Sequence, residues 1–367
     1  MKLFDRDQHT DGLLLISALF LVGIGIVMIY STSSILAERY YHDPYYFLRR
    51  QLLAAALGLG VMYLATHFNY EHYRKFTLPL LLLSMALLGI VLIPEISAHR
   101  GSRRWLYLAG LSFQPSELAK LAMVIYLAQS LTRKQERIKQ FKQGFLPYLL
   151  VAGVMIVLIF LEPDLGGALT MGVLVFVMLF AAGTRLSYLI SAALAATPVL
   201  FWVLASSEKR WQRILAYLDP WDYAQSTGWQ LVQSFLAFGQ GGIFGMGLGG
   251  GMQKLFYLPD AHTDFIFSVI GEELGLMGVV ALVLLFGIFI TRGIQIALRA
   301  ETPYGTFLAL GIVSMIGIPA LFNMAVVLGL LPTKGLVLPF VSYGGSALLI
   351  NLLALGILLN ISAKSSA

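Results

Sequence analysis

The chain has 367 residues, of which 58% are hydrophobic and only 12% are charged, and its mean hydropathy is +0.79. Because soluble domains carry about 25% charged residues, this composition excludes an ordinary soluble protein and indicates a polytopic helical membrane protein. Cysteine is absent, which excludes disulfides and thiolate catalysis. The formal charge of +6 is expected to meet lipid head groups or anionic substrates rather than nucleic acid.

Ten apolar segments follow one another along the chain, most of them near the roughly 20 residues that cross a bilayer. We predict an all-α bundle of ten transmembrane helices that forms a single domain over residues 1–367. The segments cover residues 13–30, 52–66, 76–94, 114–131, 145–161, 167–183, 187–205, 265–291, 306–331 and 343–361.

Basic residues predict the orientation of the bundle, because loops rich in Lys and Arg stay in the cytoplasm. The densest basic run, Thr132–Lys142, joins the fourth and fifth segments and predicts that both termini are cytoplasmic. The longest loop, about residues 206–264, is then outside the cell. Its stretch Trp229–Phe238 has the apolar spacing of a helix that lies in the membrane interface. All five tryptophans fall on or near that outer side, where we therefore expect the functional site.

The stretch GSRRWLYLAGLSFQPSELAK, residues 101–120, leads into the fourth segment. Pro115 is typical of a helix start. Glu117 and Lys120 lie three residues apart on one face of that helix and are predicted to form an internal ion pair. Arg104 stands beside Trp105, and two roles stay open for it: contact with lipid head groups or bidentate binding of a phosphate.

Two short motifs follow. In EPDLGG, residues 162–167, Asp164 is predicted to cap the next helix, and a cation or proton site made with Glu162 is the less favoured interpretation. The run GQGGIFGMGLGGG, residues 239–251, contains eight glycines and is typical of a flexible loop. Its N–H groups can cradle phosphate oxygens, but no Gly-Lys-Ser/Thr follows, so it is not a nucleotide P-loop.

The stretch LPDAHTDFIFSVIGEEL, residues 258–274, places Asp264 at the start of the eighth segment, which we predict to begin between residues 261 and 265. One interpretation is an acidic residue that caps the helix. The other is a carboxylate exposed to a cavity, because an ionisable group at membrane depth costs about 2.5–3.5 kcal/mol and indicates function. Ser or Asn would cap equally well without His262 and Thr263 beside it, so Asp264 is predicted to be a general base.

The stretch LPTKGLVLPFVSYGGS, residues 331–346, places one lysine among prolines and glycines before the last segment. Irregular backbone at membrane depth is tolerated only where it is buried in protein or lines a cavity. Lys334 is therefore predicted to bind an anion, and the alternative is a lysine that reaches outward to the head groups.

Seven motifs in this order and spacing resemble the SEDS family (shape, elongation, division and sporulation), the RodA/FtsW-type proteins of bacterial cell-wall synthesis. The resemblance runs from about residue 101 to the end of the chain. QKLFYLPDAHTDFIF and LPTKGL look more like the division-type member. The seven motifs are RRWLYLAG, FQPSELAK, EPDLGGAL, QSFLAFGQGG, LPDAHTDFIFSVIGEELG, LPTKGL and SYGGS.

The resemblance implies an inverting peptidoglycan glycosyltransferase of the bacterial cytoplasmic membrane, with an active site that faces outward. It would polymerise lipid II into β-1,4 glycan strands and release undecaprenyl diphosphate, in cell division or shape maintenance. A class B penicillin-binding protein is the implied partner, and a divalent cation (Mg or Mn) is implied although the sequence shows no ligand set for one. The family's essential aspartate carries onto Asp264. The expected substrate-binding residues are Arg104, Arg213, Lys334, His262 and Ser346.

Two other functions stay open at this point. A lipid II flippase or transporter is also a bundle of many spans with charges inside it. Its site would lie near the bilayer midplane, whereas the ionisable motifs here cluster at one face. A non-catalytic division scaffold is the third interpretation, and it would keep its function without Asp264.

Overall fold

The computed structural model describes residues 10–93, 104–108, 111–255 and 257–365, so the end of the third predicted segment and three residues of the RRWLYLAG motif (Arg103, Ala109 and Gly110) lie outside it. Each of the ten predicted segments coincides with a helix. The described α-helices are α1 (Gly12–Tyr41), α2 (Tyr46–His67), α3 (Thr77–Val91), α4 (Pro115–Arg133), α5 (Leu146–Leu161), α6 (Leu165–Ala181), α7 (Leu186–Ala205), α8 (Glu208–Leu218), α9 (Trp229–Gly241), α10 (Ile266–Arg299), α11 (Pro303–Val327) and α12 (Gly345–Ser365).

Short elements connect some of these helices. Short 3-10 helices cover Tyr70–Phe76 and Gln135–Arg137, and a π turn covers Phe141–Phe145. A β-hairpin, which the all-α prediction did not anticipate, pairs β1 (Leu106–Leu108) with β2 (Leu111–Phe113) in antiparallel register. The hairpin ends directly before α4, so it places Arg104 near the N-terminal end of that helix.

Eight of the described helices are long and apolar enough to cross a membrane. Neither α4 nor α6 is among them: α6 has only 17 residues, and α4 carries Glu117, Lys120 and Arg133. The predicted all-α class of membrane protein is therefore confirmed, whereas the count of ten spans is not.

The first helix is longer than predicted. α1 runs to Tyr41, eleven residues beyond the predicted end at residue 30, where the apolar stretch gives way to a Ser-Thr-Ser run. Thr32 Oγ1 donates to Met28 O at 2.8 Å and Ser33 Oγ donates to Ile29 O at 2.6 Å. Because these hydroxyls bond to carbonyls of their own helix, they do not interrupt it.

The last helix, α12, is the most buried candidate span: 89% of the residues in its apolar stretch are buried inside the bundle. It packs mainly against α2, where Gly58 lies so close to Leu352 that a Cβ would stand 2.5 Å from its side chain. Tyr70 N donates to Asn360 Oδ1 at 2.9 Å just beyond the end of α2. The last helix of the chain therefore lies in the interior of the bundle.

Polar contacts show which helix ends lie at the same face of the bundle. At one face, Arg292 near the end of α10 lies 2.6 Å from Asp11 at the start of α1, and Asp11 N donates to Ser362 at the end of α12. The opposite face carries Asp264. Because α4 begins at the Asp264 face, the basic run after it lies at the Asp11 face. That separation agrees with the predicted topology, and which face is cytoplasmic stays a prediction.

The long loop contains two helices. α9 coincides with the predicted stretch Trp229–Phe238 and packs against α10, where the hydroxyls of Ser234 and Ser268 lie 2.8 Å apart. Although more than one interfacial helix was predicted in this loop, no stretch was specified from the sequence for the second helix, α8. Its sequence EKRWQRILAYL is strongly amphipathic, and its polar face carries the basic residues that matter below.

Candidate active site

Four chain segments meet at the Asp264 face and enclose a cavity of about 90 Å³. They are the position of Arg104 just before β1, the α5–α6 turn, α8 with the end of α7, and the loop after α11. The lining includes three of the predicted substrate-binding residues, Arg104, Arg213 and Lys334, together with Asp164. Ligand pockets usually measure about 300–1,000 Å³, so the lipid-linked disaccharide that the resemblance implies would have to widen this cavity.

Asp264 lies directly behind one wall of the cavity. A Cβ at the lining residue Gly335 would stand 3.0 Å from Asp264 Oδ2. Asn323 on α11 fixes this approach, because its Nδ2 donates to Asp264 O at 2.7 Å and to Leu336 O at 2.6 Å. One side chain thereby ties the Asp264 segment to the loop that carries Lys334.

The carboxylate of Asp264 does not cap a helix. α10 begins at Ile266, one residue beyond the predicted range, and within the described part of the chain no hydrogen bond reaches this carboxylate. The backbone before it is fixed, since Ser342 Oγ donates to Thr263 O at 2.6 Å and Tyr343 N donates to His262 O at 3.0 Å. The segment is held rigidly while the reactive group stays unpaired.

Burial makes the carboxyl group of Asp264 a much weaker acid than an ordinary aspartate. Burial, together with the smaller effect of the negative charge of Asp260 and against the positive charge of Arg104, raises the pKa of Asp264 to about 7. A carboxyl group with a pKa near 7 both accepts and releases a proton at neutral pH, which is the requirement for a general base.

Arg104 braces the turn between α5 and α6. Its Nε donates to Glu162 O at 3.1 Å, its guanidinium also donates to Pro163 O, and its Nη1 lies 3.9 Å from Asp164 Oδ1. Asp164 Oδ1 in turn accepts from Gly167 N at 2.9 Å, which confirms the predicted cap of α6. Arg104 thus both supports the wall of the cavity and lines it.

Lys334 presents an uncompensated positive charge to the cavity. Burial lowers the pKa of Lys334, and no acidic side chain among the described residues opposes that effect. A half-buried ammonium without a counter-ion is costly, so an anion in the cavity would stabilise it. Lys334 therefore lines the cavity, and its binding of an anion stays a prediction.

Two predicted substrate-binding residues do not reach the cavity. The ring of His262 packs beside Phe47 and Tyr343, with centroid distances of 4.8 and 5.8 Å, and burial lowers its pKa. Ser346 Oγ accepts a hydrogen bond from Gln114 N at 3.3 Å. Neither residue is part of the cavity lining, so both contact the surrounding protein instead of the space a substrate would enter.

Glu117 and Lys120 meet in the first turns of α4. Lys120 Nζ lies 2.8 Å from Glu117 Oε2, and their side chains are only 11% and 9% exposed. An ion pair so far from water is costly to break, and it does not line the cavity. Its position therefore fits the structural role that the spacing predicted.

Two residues near the cavity were missed or underrated from the sequence. Arg210 lines the cavity from α8, three residues before Arg213 on the same helical face, a spacing that could have revealed it. Glu162, considered only as a less favoured partner of Asp164, is completely buried, and neither of its carboxylate oxygens is hydrogen-bonded within the described residues. Burial raises the pKa of Glu162 to about 8, so this carboxyl is mostly neutral at pH 7.

The donors present do not fit a dedicated divalent-cation site. Over the described residues, no group of three His, Asp or Glu side chains could hold a metal ion. Asp164 already faces Gly167 N and Arg104, and a protonated Glu162 is a poor ligand for a hard cation. The described residues therefore offer no ligand set for the cation that the resemblance implied.

Comparison with known proteins decides the family. The FtsW/RodA/SpoVE family, described as cell cycle proteins, matches residues 12–367. The chain belongs to this SEDS family. A SEDS relative from Geobacter sulfurreducens, a probable peptidoglycan glycosyltransferase FtsW, is 50% identical over 358 residues, which cover 97% of this chain and 96% of the relative. Stage V sporulation protein E of Bacillus subtilis is 42% identical over 361 residues, 98% of this chain and 99% of that protein.

Solved SEDS structures share the fold. A chain from a peptidoglycan synthase complex that coordinates polymerization and crosslinking matches with a TM-score of 0.80 at 29% identity, covering 97% of this chain and 98% of that one. The rod shape determining protein RodA of Thermus thermophilus matches with a TM-score of 0.72 at 28% identity, covering 98% of each chain. These similarities confirm the predicted family, and its FtsW-type character, for a multi-pass inner-membrane protein.

Proposed function

We propose that this SEDS protein polymerises lipid II into peptidoglycan glycan strands, with Asp264 as the general base. The observation that carries the proposal is the unpaired carboxylate of Asp264 behind Gly335, next to a cavity that Arg104, Arg213 and Lys334 make positive. A base beside an anion-binding cavity suits the transfer of a sugar from a diphosphate. The glycosyltransferase names of relatives at 50% identity support the same activity.

The reaction is a single inverting displacement. The hydroxyl oxygen of the acceptor sugar forms a bond to the anomeric carbon of the donor, and the bond from that carbon to the diphosphate oxygen breaks. The proton of the hydroxyl passes to Asp264, and the lipid diphosphate leaves with the electron pair of the broken bond. Arg104, Arg213 and Lys334 stabilise the negative charge that develops on the leaving group.

The activity should depend on pH with one acidic limb. A general base must be ionised, so for a pKa of about 7 at Asp264 we expect kcat/KM to rise about tenfold per pH unit below pH 7 and to level off above it. Polymer formation by purified protein across this range measures the limb.

The substitution Asp260→Asn supplies a control for that limb. Because the charge of Asp260 raises the pKa of Asp264, its removal should move the limb to lower pH while the plateau rate stays. A profile that is flat through neutrality in both proteins would contradict the assignment of the base.

Removal of one cavity cation should slow polymerisation. Lys334→Met takes away a charge that faces the cavity, and we expect kcat to fall by about 10²- to 10³-fold, the typical cost of one lost transition-state donor. Lys209→Met on the exposed part of α8 is the matched control and should leave the rate unchanged. An equal rate for both variants in the lipid II assay would remove Lys334 from the mechanism.

The experiment that tests the function uses the purified protein in detergent micelles with lipid II and no bilayer. A glycosyltransferase makes polymer under these conditions, whereas a flippase has no second compartment and makes none. Polymer length on a gel, with and without a candidate partner, is the readout. Failure to make polymer in either condition would contradict the proposed activity.

The partner and orientation are part of the same proposal. We place the Asp264 face on the outer side of the membrane, because the basic run lies at the opposite face and basic loops stay in the cytoplasm. A class B penicillin-binding protein is the proposed partner, supported by the similarity to a chain of a complex that couples polymerization and crosslinking. The role is in cell division, supported by the relatives named FtsW.

A further inference from the structure

The glycine-rich segment Gly239–Gly251 exposes a row of apolar side chains. Phe244 is 79% exposed, and Ile243 and Leu248 are each 60% exposed. The sequence contains no ionisable residue between Trp229 and Gln253. Side chains of this kind are unfavourable in water, so a contiguous exposed row indicates a contact surface.

The backbone of this segment is fixed on α10. Met246 N and Gly247 N donate to Glu272 O and Glu273 O, both at 3.0 Å, and in return Leu276 N donates to Gly242 O at 2.9 Å. Gly275 makes this pairing possible: its φ of 65° bends α10, and a Cβ on it would stand 2.3 Å from Gly245 N. The segment is therefore an ordered part of the bundle and not the flexible loop that its composition predicted.

Two carboxylates lock the far end of the segment. Glu272 Oε1 accepts from Met252 N at 2.6 Å and from Gln253 N at 3.2 Å. Glu273 Oε1 lies 2.8 Å from Lys254 Nζ, and these two side chains are 0% and 6% exposed. Ser31 on α1 completes the cluster, since its Oγ donates to Glu273 Oε2 at 2.6 Å.

Helix lengths locate this cluster relative to the membrane. α1 and α10 touch at Asp11–Arg292 and again at Ser31–Glu273. Twenty residues separate Asp11 from Ser31, and nineteen separate Glu273 from Arg292, so at about 1.5 Å per residue each path is about 30 Å long. The hydrocarbon core of a bilayer is about 30 Å thick. The two polar contacts therefore mark its two boundaries, and the glycine-rich segment lies at the boundary on the Asp264 side.

A groove beneath the segment faces the same hydrocarbon. It has a volume of about 440 Å³ and is lined by Leu248 and Leu274 above and by apolar α1 residues, among them Phe20 and Val27. These α1 residues lie between Asp11 and Ser31, which places the groove inside the apolar layer. Leu248 thus reaches from the segment toward the bilayer centre.

We propose that Gly239–Gly251 is a membrane-inserted surface whose partner is the hydrocarbon of the lipid leaflet on the Asp264 side. Ile243, Phe244 and Leu248 enter that leaflet, and one lipid chain occupies the groove against α1. The ion pair of Lys254 and Glu273, together with Glu272, holds the segment at this depth. The inference concerns membrane contact alone and does not depend on the proposed polymerase activity.

The test uses the absence of cysteine in the chain, which allows single cysteines without other changes. Nitroxides are attached at Phe244→Cys and, as the exposed control in the same long loop, at Gln225→Cys, in protein reconstituted into phosphatidylglycerol–phosphatidylethanolamine vesicles. We expect the probe at 244 to collide several-fold more with oxygen than with a water-soluble nickel chelate, and the probe at 225 to show the reverse. Nickel accessibility at 244 equal to that at 225 would overturn the proposal, as would low collision rates with both reagents, which would mean burial against protein.

A second measurement tests whether the ion pair of Lys254 and Glu273 holds the segment in place. In the Phe244→Cys background, Lys254→Met leaves Glu273 buried without a counter-charge, and the probe should lose its oxygen preference. The double change Lys254→Met/Glu273→Met removes both charges and should restore much of it. Circular dichroism verifies that helix content is kept in each variant. An unchanged probe signal in Lys254→Met would show that the ion pair does not hold the segment.

Discussion

The substitution Asp264→Asn should abolish polymer synthesis from lipid II while the protein still folds. The amide keeps the size of the side chain but cannot take a proton from the acceptor hydroxyl, and loss of a general base typically costs 10²- to 10⁴-fold in rate. The carboxylate has no hydrogen-bond partner to lose among the described residues. The thermal midpoint should therefore stay the same or rise, since the buried charge is gone.

Asp260→Asn is the matched control for this experiment. It removes an exposed carboxyl four residues earlier in the same loop, so it tests whether any lost negative charge near the cavity is harmful. We expect polymer of normal length from Asp260→Asn at pH 8 and none from Asp264→Asn. Substantial polymer from the second variant would exclude Asp264 as the base, and growth supported by it in cells would favour the scaffold interpretation.

The second large effect is expected on stability. Lys120→Met leaves the Glu117 carboxylate buried without its partner at 2.8 Å, and breaking a buried ion pair typically costs about 3–5 kcal/mol. We expect a clearly lower midpoint of unfolding in detergent, together with loss of activity because α4 begins beside the cavity.

The double substitution Glu117→Gln/Lys120→Met separates structure from chemistry. If the pair is structural, removal of both charges should recover much of the stability and some activity. Arg133→Met, an exposed change at the other end of α4, serves as the control. Recovered stability with no activity at all would give Glu117 or Lys120 a direct part in the reaction.

Helix positions were predictable because the bilayer imposes length and apolarity on each span. The positions at which the helices end were less predictable. α11 stops at Val327, four residues before the predicted end at 331, because Gly329 takes a φ of +72°. α1 continues through Ser31–Ser33 because hydroxyls can bond to their own helix. Hydropathy measures the transfer of side chains to lipid, so it detects neither the positive φ of a glycine nor a hydrogen bond from a hydroxyl to its own helix.

Single residues of the site could be predicted from the sequence, but their positions relative to one another could not. Asp264 and Lys334 are seventy residues apart, and their approach depends on two hydrogen bonds from Asn323, a residue without any motif signal. His262 stands two positions from Asp264, yet its ring turns into an aromatic cluster. Position in a motif identifies a neighbourhood, whereas side-chain direction is decided by packing partners from distant segments.

The central place of α12 has a consequence for biosynthesis. α2 has its packing partner, including the contact of Gly58 with Leu352, nearly three hundred residues later in the chain. At translation rates of about 5–20 residues per second, the ribosome needs on the order of tens of seconds to supply it. During that interval the early spans wait in the bilayer with their inner surfaces uncovered, so a chaperone or the insertion machinery has a defined task. A nascent chain that stops before Gly345 leaves α2 without this packing partner.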